Sequence, residues 1–231
     1  ITGESMKEKD KKTGEYLVDR TADITRMKGT GTWTVQSALK LLVPIPTITA
    51  AVFSREMSQD KDLRLKASKK LSTFKEKYVG EKEQFIKIAH DALYLAKISS
   101  YAQGMALLQA ASKEYNWNLN LGEIVKGWRS GCIIRAQFLD EVTKAYEKNP
   151  EIPNLLTAPR FAEVVKQDLN KLANFIEIAH WVKVPAPAMD NAFDYILQLA
   201  SPVMVSAQVS ALQRDYFGAH GYFKLKGLDD P

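Results

Sequence analysis

Hydrophobic positions recur at helical spacing along most of this chain, most clearly in the segment 85–113. Two apolar faces run along that segment. The first contains Phe85, Ile88, Ala89, Ala92, Leu93 and Ala96, and the second contains Leu95, Ile98, Ala102, Met105 and Ala106. A helix that is apolar on two sides is typically surrounded by other helices. The pattern therefore predicts a long buried helix, about 40 Å in length at 1.5 Å per residue.

A shorter helix is predicted from Val35, where the apolar positions are Val35, Ala38, Leu39 and Leu42. Pro44 and Pro46 are expected to end it.

Thr47 is a suitable cap for the next helix, which places Ile48, Ala51 and Val52 on one side. Arg55 lies seven residues after Ile48 and extends this inward stripe. Two interpretations of Arg55 stay open: it caps the stripe at the surface, or it meets a buried anion.

Further helical patterns cover about 122–148, 158–182 and 188–217, whereas no alternating run is long enough to predict a sheet. The charged stretch 7–12 is expected to be an exposed loop. Glycine (12 residues) and proline (9 residues) are sparse, which favours long helices over a turn-rich β fold. The prediction is an all-α fold: one large helical domain with long buried helices and a C-terminal tail.

The composition is that of an ordinary globular protein, with 45% hydrophobic and 26% charged residues. The single Cys132 excludes an internal disulfide and indicates a reducing compartment, taken as the cytoplasm with an organelle as the alternative. No apolar run reaches the roughly 18 residues of a membrane span, so no membrane contact is expected. The chain begins at Ile1 rather than Met, and we expect it to be incomplete.

The net charge of +5 attracts anions in general, including nucleic acid and phosphorylated metabolites. Acidic residues are interspersed with the basic ones, and no nucleic-acid recognition motif is present. Nucleic-acid binding is therefore a poor hypothesis.

The first candidate for chemistry is the sequence KGTGTW at residues 28–33, which we call the Lys28 loop. Two glycines let the backbone approach a ligand, and the following helix would present unpaired amides. Lys28 adds a full charge and Thr30 a hydroxyl. The loop predicts an anion site, although glycines that only turn the chain explain the pattern equally well. The spacing fits neither a Walker A loop nor G-x-G-x-x-G, so we do not expect a complete dehydrogenase.

The second candidate is the segment 214–220, in which Gly218 is expected to end a helix. Arg214 in the last turn favours the helix dipole. His220 lies beyond the break and could turn beside Arg214. His90, His180 and Cys132 are interpreted as structural, and their wide separation predicts no metal site.

Five segments resemble the 6-phosphogluconate dehydrogenase family, in family order and over nearly the whole chain. They are KGTGTW (28–33), AVFSREMS (51–58), ISSYAQG (98–104), WRSGCIIR (128–135) and QRDYFGAH (213–220). Asp23 also matches the family pattern. Arg26 and Met27 depart from it, since a small residue and then Gln or Asn are usual there, and Ser130 replaces a common glycine. The larger Arg26 and Met27 are expected to alter the entry to the Lys28 loop.

The resemblance implies a C-terminal helical domain of a homodimeric enzyme of the pentose phosphate pathway. That enzyme oxidises 6-phosphogluconate with NADP to ribulose 5-phosphate and carbon dioxide, without a metal. Lys28, Thr30 and Arg55 would bind substrate from one subunit, and Arg214 and His220, on a tail of about residues 214–231, would reach the partner's site.

By the same resemblance, the NADP-binding Rossmann domain and the helix with the Lys base and Glu acid lie outside this chain. No catalytic or NADP-binding residue is therefore assigned, and the chain alone is expected to be inactive. The alternative is a non-catalytic helical dimerisation scaffold derived from the enzyme.

Overall fold

The computed structural model describes residues 2–71 and 76–225, and these residues form a helical array. The helices are α1 (Thr2–Ser5), α2 (Leu17–Arg20), α3 (Thr30–Lys40), α4 (Pro46–Gln59), α5 (Lys61–Leu71), α6 (Lys82–Glu114), α7 (Leu121–Gly127), α8 (Leu139–Lys148), α9 (Pro159–Trp181), α10 (Pro187–Ala200) and α11 (Val205–Gly218), with one 3-10 turn at Leu155–Thr157.

The prediction of an all-α fold is confirmed. Within the described ranges, the only β pairing is an isolated bridge between Lys9 and Tyr16. Lys9 belongs to the charged stretch 7–12, which is exposed as expected except at the half-buried Asp10. The chain divides into two compact units, 1–193 and 194–231. The first unit holds the large helical core, and the second contains the end of α10, then α11 and the tail.

Helix α6 is the central element of the first unit, and it confirms the long helix predicted over 85–113. It is 33 residues long and packs along α9. Its fully buried apolar residues include Leu95, Ile98 and Met105, which belong to the second predicted face. The first face was predicted less well, because Leu93 is 53% exposed.

Helices α3 and α4 pack beside α6, and α3 does not have the predicted ends. It begins at Thr30 and ends at Lys40. Val35 and Ala38 are buried as predicted, but Leu39 and Leu42 are 72% and 88% exposed. The apolar spacing continues past the helix end, since Leu42 already has a positive φ of 55°. The helix therefore ends before Pro44, and the prolines do not terminate it.

The cap predicted at Thr47 was wrong, because α4 begins one residue earlier, at Pro46. Proline suits the first helical turn, since its missing N–H would have no partner there. Thr47 is instead buried and bonded to Gln103 of α6. Its N–H donates to Gln103 Oε1 at 3.0 Å, and its hydroxyl accepts from Gln103 Nε2 at 2.7 Å. A buried amide thus satisfies the start of α4.

Two of the long helical patterns are interrupted. The pattern over 122–148 splits into α7 and α8 around a loop at 128–138, where Gly131 has a φ of 68° that a helix does not allow. The pattern over 188–217 splits into α10 and α11 at 201–204, where Pro202 disfavours a helical Ser201. The predicted helix over 158–182 is confirmed as α9.

Within the part of the chain that the structure describes, no single helix has the length and apolarity of a membrane span, although α10 and α11 pass that test as a bent pair.

The histidines of the first unit are paired with carboxylates. His90 Nδ1 lies 2.9 Å from Asp91 and His180 Nε2 lies 3.1 Å from Asp190. No group of three potential metal ligands occurs in the described ranges. Cys132, interpreted from the sequence as structural, is half-buried.

Candidate anion-binding site

The Lys28 loop turns sharply into α3 at Gly29. This residue has a φ of 110°, which L side chains rarely adopt, and it forms the N-terminal boundary of α3. A Cβ placed on Gly29 would lie 2.9 Å from the ring of Trp33, one turn further on. Both conformation and space therefore require glycine at this position.

The second glycine brings two helices together. A Cβ on Gly31 would lie 3.0 Å from Cγ2 of Val52 on α4. Gly31 therefore allows close packing of α3 against α4. The two glycines are thus explained by the fold itself, and their approach to a ligand stays a prediction.

The start of α3 offers donors for an anion. Trp33 N–H donates to the carbonyl of Gly29 at 2.9 Å, so Thr30, Gly31 and Thr32 precede the first intrahelical bond. Their N–H groups have no bond to any described residue, and the helix dipole adds partial positive charge there. Thr30 is exposed, as its predicted role requires.

Lys28 stands immediately before this helix start. Its side chain is exposed and forms no ion pair with the described residues. A surface lysine without a carboxylate partner keeps its charge available to a ligand. The sequence prediction of a free cation at this loop is consistent with this placement.

Arg55 does not lie on an inward stripe, because Arg55 and the preceding Ala51 are both exposed. The inward-stripe interpretation was wrong, because Arg55 is hydrogen-bonded to the exposed chain segment that leads to the Lys28 loop. Arg55 Nη2 donates to the carbonyl oxygen of Arg26 at 2.5 Å. The bond joins Arg55 to a residue only two positions before Lys28. The structure therefore places these two predicted cations in one region.

A set of polar contacts fixes residues 23–27 against α4 and α5. The carboxylate of Asp23 accepts hydrogen bonds from Lys61 and, at 2.7 Å, from Arg64 Nη1. The Thr25 N–H donates to Ser58 Oγ at 2.9 Å. Arg64 first, and Lys61 second, hold the pKa of Asp23 below its ordinary value of 3.8. We call this set the Asp23 anchor.

Asp23 matches the family pattern, but no role was predicted for it. Its partners lie 38 and 41 residues further along the chain, so no local pattern identifies them. The spacing of Lys61 and Arg64 on one face of α5 was the available signal.

Of the two departures that directly precede Lys28, Arg26 is exposed and Met27 is not. Met27 is half-buried and packs against the cluster that contains Val35, Val52 and Leu107. Its sulfur lies 3.8 Å from the Cβ position of Gly31. Met27 thus supports the loop from the core side, which differs from the expected change at its entry.

A cavity of 260 Å³ lies beside the loop, and Thr30 and Trp33 line it. The opposite wall is apolar and aromatic, with Leu107 of α6 followed by Tyr115 and Trp117.

The second candidate segment lies in the other unit. Helix α11 contains Arg214, ends at Gly218, and is followed by Ala219 with a φ of 51°. Ala219, rather than Gly218, adopts the left-handed conformation. Arg214 and His220 are both exposed, and no hydrogen bond joins them among the described residues. The Gly221 N–H donates to Asp215 Oδ1 at 2.8 Å, so Asp215 holds the turn.

Comparison with known proteins identifies the family. The family model for the C-terminal domain of 6-phosphogluconate dehydrogenase matches residues 1–229 of the chain. The chain belongs to this family. The resemblance of the five sequence segments to 6-phosphogluconate dehydrogenases is thereby confirmed.

Named relatives agree with this assignment. The chain is 46% identical over 225 residues to the decarboxylating 6-phosphogluconate dehydrogenase of Shigella flexneri, covering 97% of the chain and 48% of that protein. It is 43% identical over 222 residues to the enzyme of a Synechocystis species, covering 96% of the chain and 46% of that protein. The chain thus spans about half the length of the curated relatives it matches.

A solved structure has the same fold. The 6-phosphogluconate dehydrogenase of Plasmodium falciparum matches with a TM-score of 0.92 and 37% identity, over 98% of this chain and 49% of that one. The structure of that enzyme is described in its apo form, in complex with its cofactor NADP+ and in complex with its substrate 6-phosphogluconate.

The family segment ISSYAQG has a structural explanation in α6. Gln103 bonds the start of α4 and also donates to Ser99 Oγ at 3.2 Å. The hydroxyl of Tyr101 donates to the carbonyl of Ile134 in the loop 128–138. The segment therefore connects α6 to two neighbouring parts of the domain. The role of Gln103 is not predictable from the sequence pattern, because its side chain lies on a mostly apolar helix face.

Proposed function

We propose that this chain is the substrate-binding and dimer-forming helical domain of a decarboxylating 6-phosphogluconate dehydrogenase. One observation carries the proposal. Lys28 is exposed at the start of α3 and has no ion-pair partner among the described residues, and Arg55 is hydrogen-bonded to the backbone two residues before Lys28. Family membership supports the choice of 6-phosphogluconate as the ligand.

The chemistry of the substrate fits this arrangement. A phosphorylated sugar acid carries a phosphate and a carboxylate, and both favour cations and fixed N–H donors. Lys28 supplies a point charge. Arg55 supplies a planar guanidinium, and its N–H groups that are not bonded to the Arg26 carbonyl can donate to a ligand. The amides at the start of α3 and the hydroxyl of Thr30 complete this half of the site.

The reaction would use groups beyond these residues. When bound, NADP would supply the hydride acceptor for oxidation of the substrate at C3, and loss of carbon dioxide from the resulting keto acid would follow. The residues of this chain bind and orient the anionic groups, and no NADP-binding residue is assigned among them. Because the chain spans about half of its relatives, we infer that proton transfer depends on the other half and that the chain alone is inactive.

We further infer a homodimer in which the tail of one subunit reaches the other. The unit 194–231 supports this, since the described part exposes a set of large apolar side chains. They include Val203, Val205, Val209, Leu212, Tyr216 and Phe217. Arg214 and His220 would then contribute a third cation and a hydrogen-bonding ring to the partner's substrate site. A cytoplasmic location stays a prediction.

The proposal is tested by the thermal stability of the full-length parent protein. At a 6-phosphogluconate concentration of 100 times the dissociation constant, the ligand should stabilise the protein by about 2.7 kcal/mol. The substitution Lys28→Ala should remove most of that shift in melting temperature. Lys66→Ala is the matched control, since Lys66 is also an exposed lysine, on α5.

Two results would contradict the proposal. An unchanged shift in Lys28→Ala would remove the Lys28 loop from the substrate site. The absence of any shift in the unsubstituted parent would favour the dimerisation scaffold instead.

A further inference from the structure

The family segment WRSGCIIR has no role in the proposed substrate site, yet the fold holds it in a defined position. It forms most of the loop 128–138 between α7 and α8. The Tyr101 hydroxyl donates to the carbonyl of Ile134, and the rings of Tyr101 and Trp128 meet edge to face at 6.3 Å. The loop is therefore attached to the central helix at both of its ends.

This attachment forms a cleft of 540 Å³ between the loop and α6. Three cations line it: Lys97 from α6, and Arg129 and Arg135 from the loop. The volume lies within the range of small-molecule sites, about 300–1,000 Å³. We call it the Arg135 cleft. None of the five predicted substrate-binding residues lines it.

The charges of the cleft are not balanced. Asp140 is its one acidic lining residue, and its carboxylate accepts from Arg129 Nε at 2.8 Å. The neighbouring Glu141 is paired with Arg160 at 2.9 Å. Lys97 and Arg135 have no carboxylate partner among the described residues, so two positive charges remain uncompensated.

The other walls suit an anion that carries an organic group. Phe138 is buried at the base of the cleft, and the Tyr94 ring meets it edge to face at 5.9 Å. Burial, and secondarily Glu141, raises the pKa of Tyr94, so its hydroxyl remains a donor at neutral pH. The first turn of α8 also begins at this cleft, which adds partial positive charge.

We propose that the Arg135 cleft binds a phosphate group, with Lys97 and Arg135 as its principal cations. A phosphate of nearly two negative charges matches the uncompensated charge of the cleft. Its source is either free inorganic phosphate or a phosphate ester whose organic part packs against Tyr94 and Phe138.

The test uses the full-length parent protein with Lys28→Ala, so that the Lys28 loop contributes little. Inorganic phosphate and phenyl phosphate are titrated separately, and binding is measured by phosphorus NMR line broadening. The double substitution Lys97→Met and Arg135→Met should weaken phosphate binding at least tenfold. Lys166→Met, on the exposed side of α9, is the matched control and should have no effect. Arg135→Lys should retain part of the binding, because it keeps the charge.

The two ligands distinguish the sources. Tighter binding of phenyl phosphate would identify an ester, and equal affinity would identify the free anion. Equal binding by the double variant and its parent would overturn the cleft proposal. The single variant Arg135→Met provides a second check. The cleft proposal would also fail if phosphate bound to the unsubstituted parent and to Arg135→Met but not to Lys28→Ala. The proposed function of the Lys28 loop would then stand.

Discussion

The pair of helices α6 and α9 and the surroundings of the Lys28 loop are stabilised in different ways. Along α6 and α9, large apolar residues such as Leu95, Met105, Phe161 and Leu172 are fully buried. Around the loop, residues 23–27 are held by Asp23, Ser58 and Arg55 through hydrogen bonds and ion pairs at the surface. Buried apolar area contributes strongly to stability, whereas exposed ion pairs contribute little.

This difference separates stability from binding. The helix pair should determine whether the domain is folded, while the Asp23 anchor should determine where Lys28 and Arg55 stand. Substitutions in the two regions are therefore expected to change different measured quantities.

The largest effect is expected from Leu172→Ala in α9. The substitution removes a fully buried side chain and leaves a cavity, so the free energy of unfolding should fall by about 2–5 kcal/mol. Chemical denaturation of the parent protein measures it. Leu93→Ala, at an exposed position of α6, is the control and should change little. Equal effects at both positions would contradict the claim that buried apolar side chains stabilise the α6–α9 pair.

An intermediate effect is expected from Gln103→Leu, which lies where the two regions meet. Leucine keeps the volume but leaves the N–H of Thr47 and the hydroxyls of Thr47 and Ser99 without this partner. The free energy of unfolding should fall by about 1–3 kcal/mol. The exposed Gln167, whose side chain donates to Glu163 one turn earlier, provides the control Gln167→Leu. If both substitutions lowered the free energy of unfolding by the same amount, the buried amide of Gln103 would have no special part in stability.

The smallest effect on stability is expected from Asp23→Asn, with a larger effect on substrate affinity. The lowered pKa of Asp23 means that its carboxylate stabilises the fold above about pH 4. That contribution is lost as the pH falls through the folded-state pKa. The difference in melting temperature between wild type and variant should therefore narrow below pH 4, as a pH series would measure.

Under the proposed function, the affinity for 6-phosphogluconate should fall at neutral pH, because the segment before Lys28 loses the ion pairs of Asp23. Asp62→Asn on α5 is the control, since Asp62 is exposed and unpaired within the described residues. If the melting temperatures of wild type and Asp23→Asn differed by the same amount at every pH, the ion pairs of Asp23 would not contribute to stability.

The elements predicted correctly from the sequence are those whose pattern lies within one continuous segment of the chain. Helices α6 and α9 have many turns of regular apolar spacing, and the Lys28 loop has a specific signature. The placement of Lys28 before a helix start follows from adjacent residues. These features depend little on distant parts of the chain.

The features that were missed depend on contacts between distant residues. The apolar spacing of α3 continues through Leu42, although the chain turns there into a left-handed conformation. Arg55 was placed on an inward stripe because its partner, the Arg26 carbonyl, lies 29 residues earlier. Gln103 meets Thr47 across 56 residues. Periodicity describes one helix at a time and cannot predict such partners.

The bond from Arg55 to the Arg26 carbonyl also affects what a ligand must do on arrival. A free arginine on a surface samples many rotamers, and immobilising it costs about 0.5–1.5 kcal/mol on association. Here one end of the guanidinium is already held by the main chain. An arriving anion would therefore meet a partly ordered receptor, and less of its interaction energy would be spent on restricting that side chain.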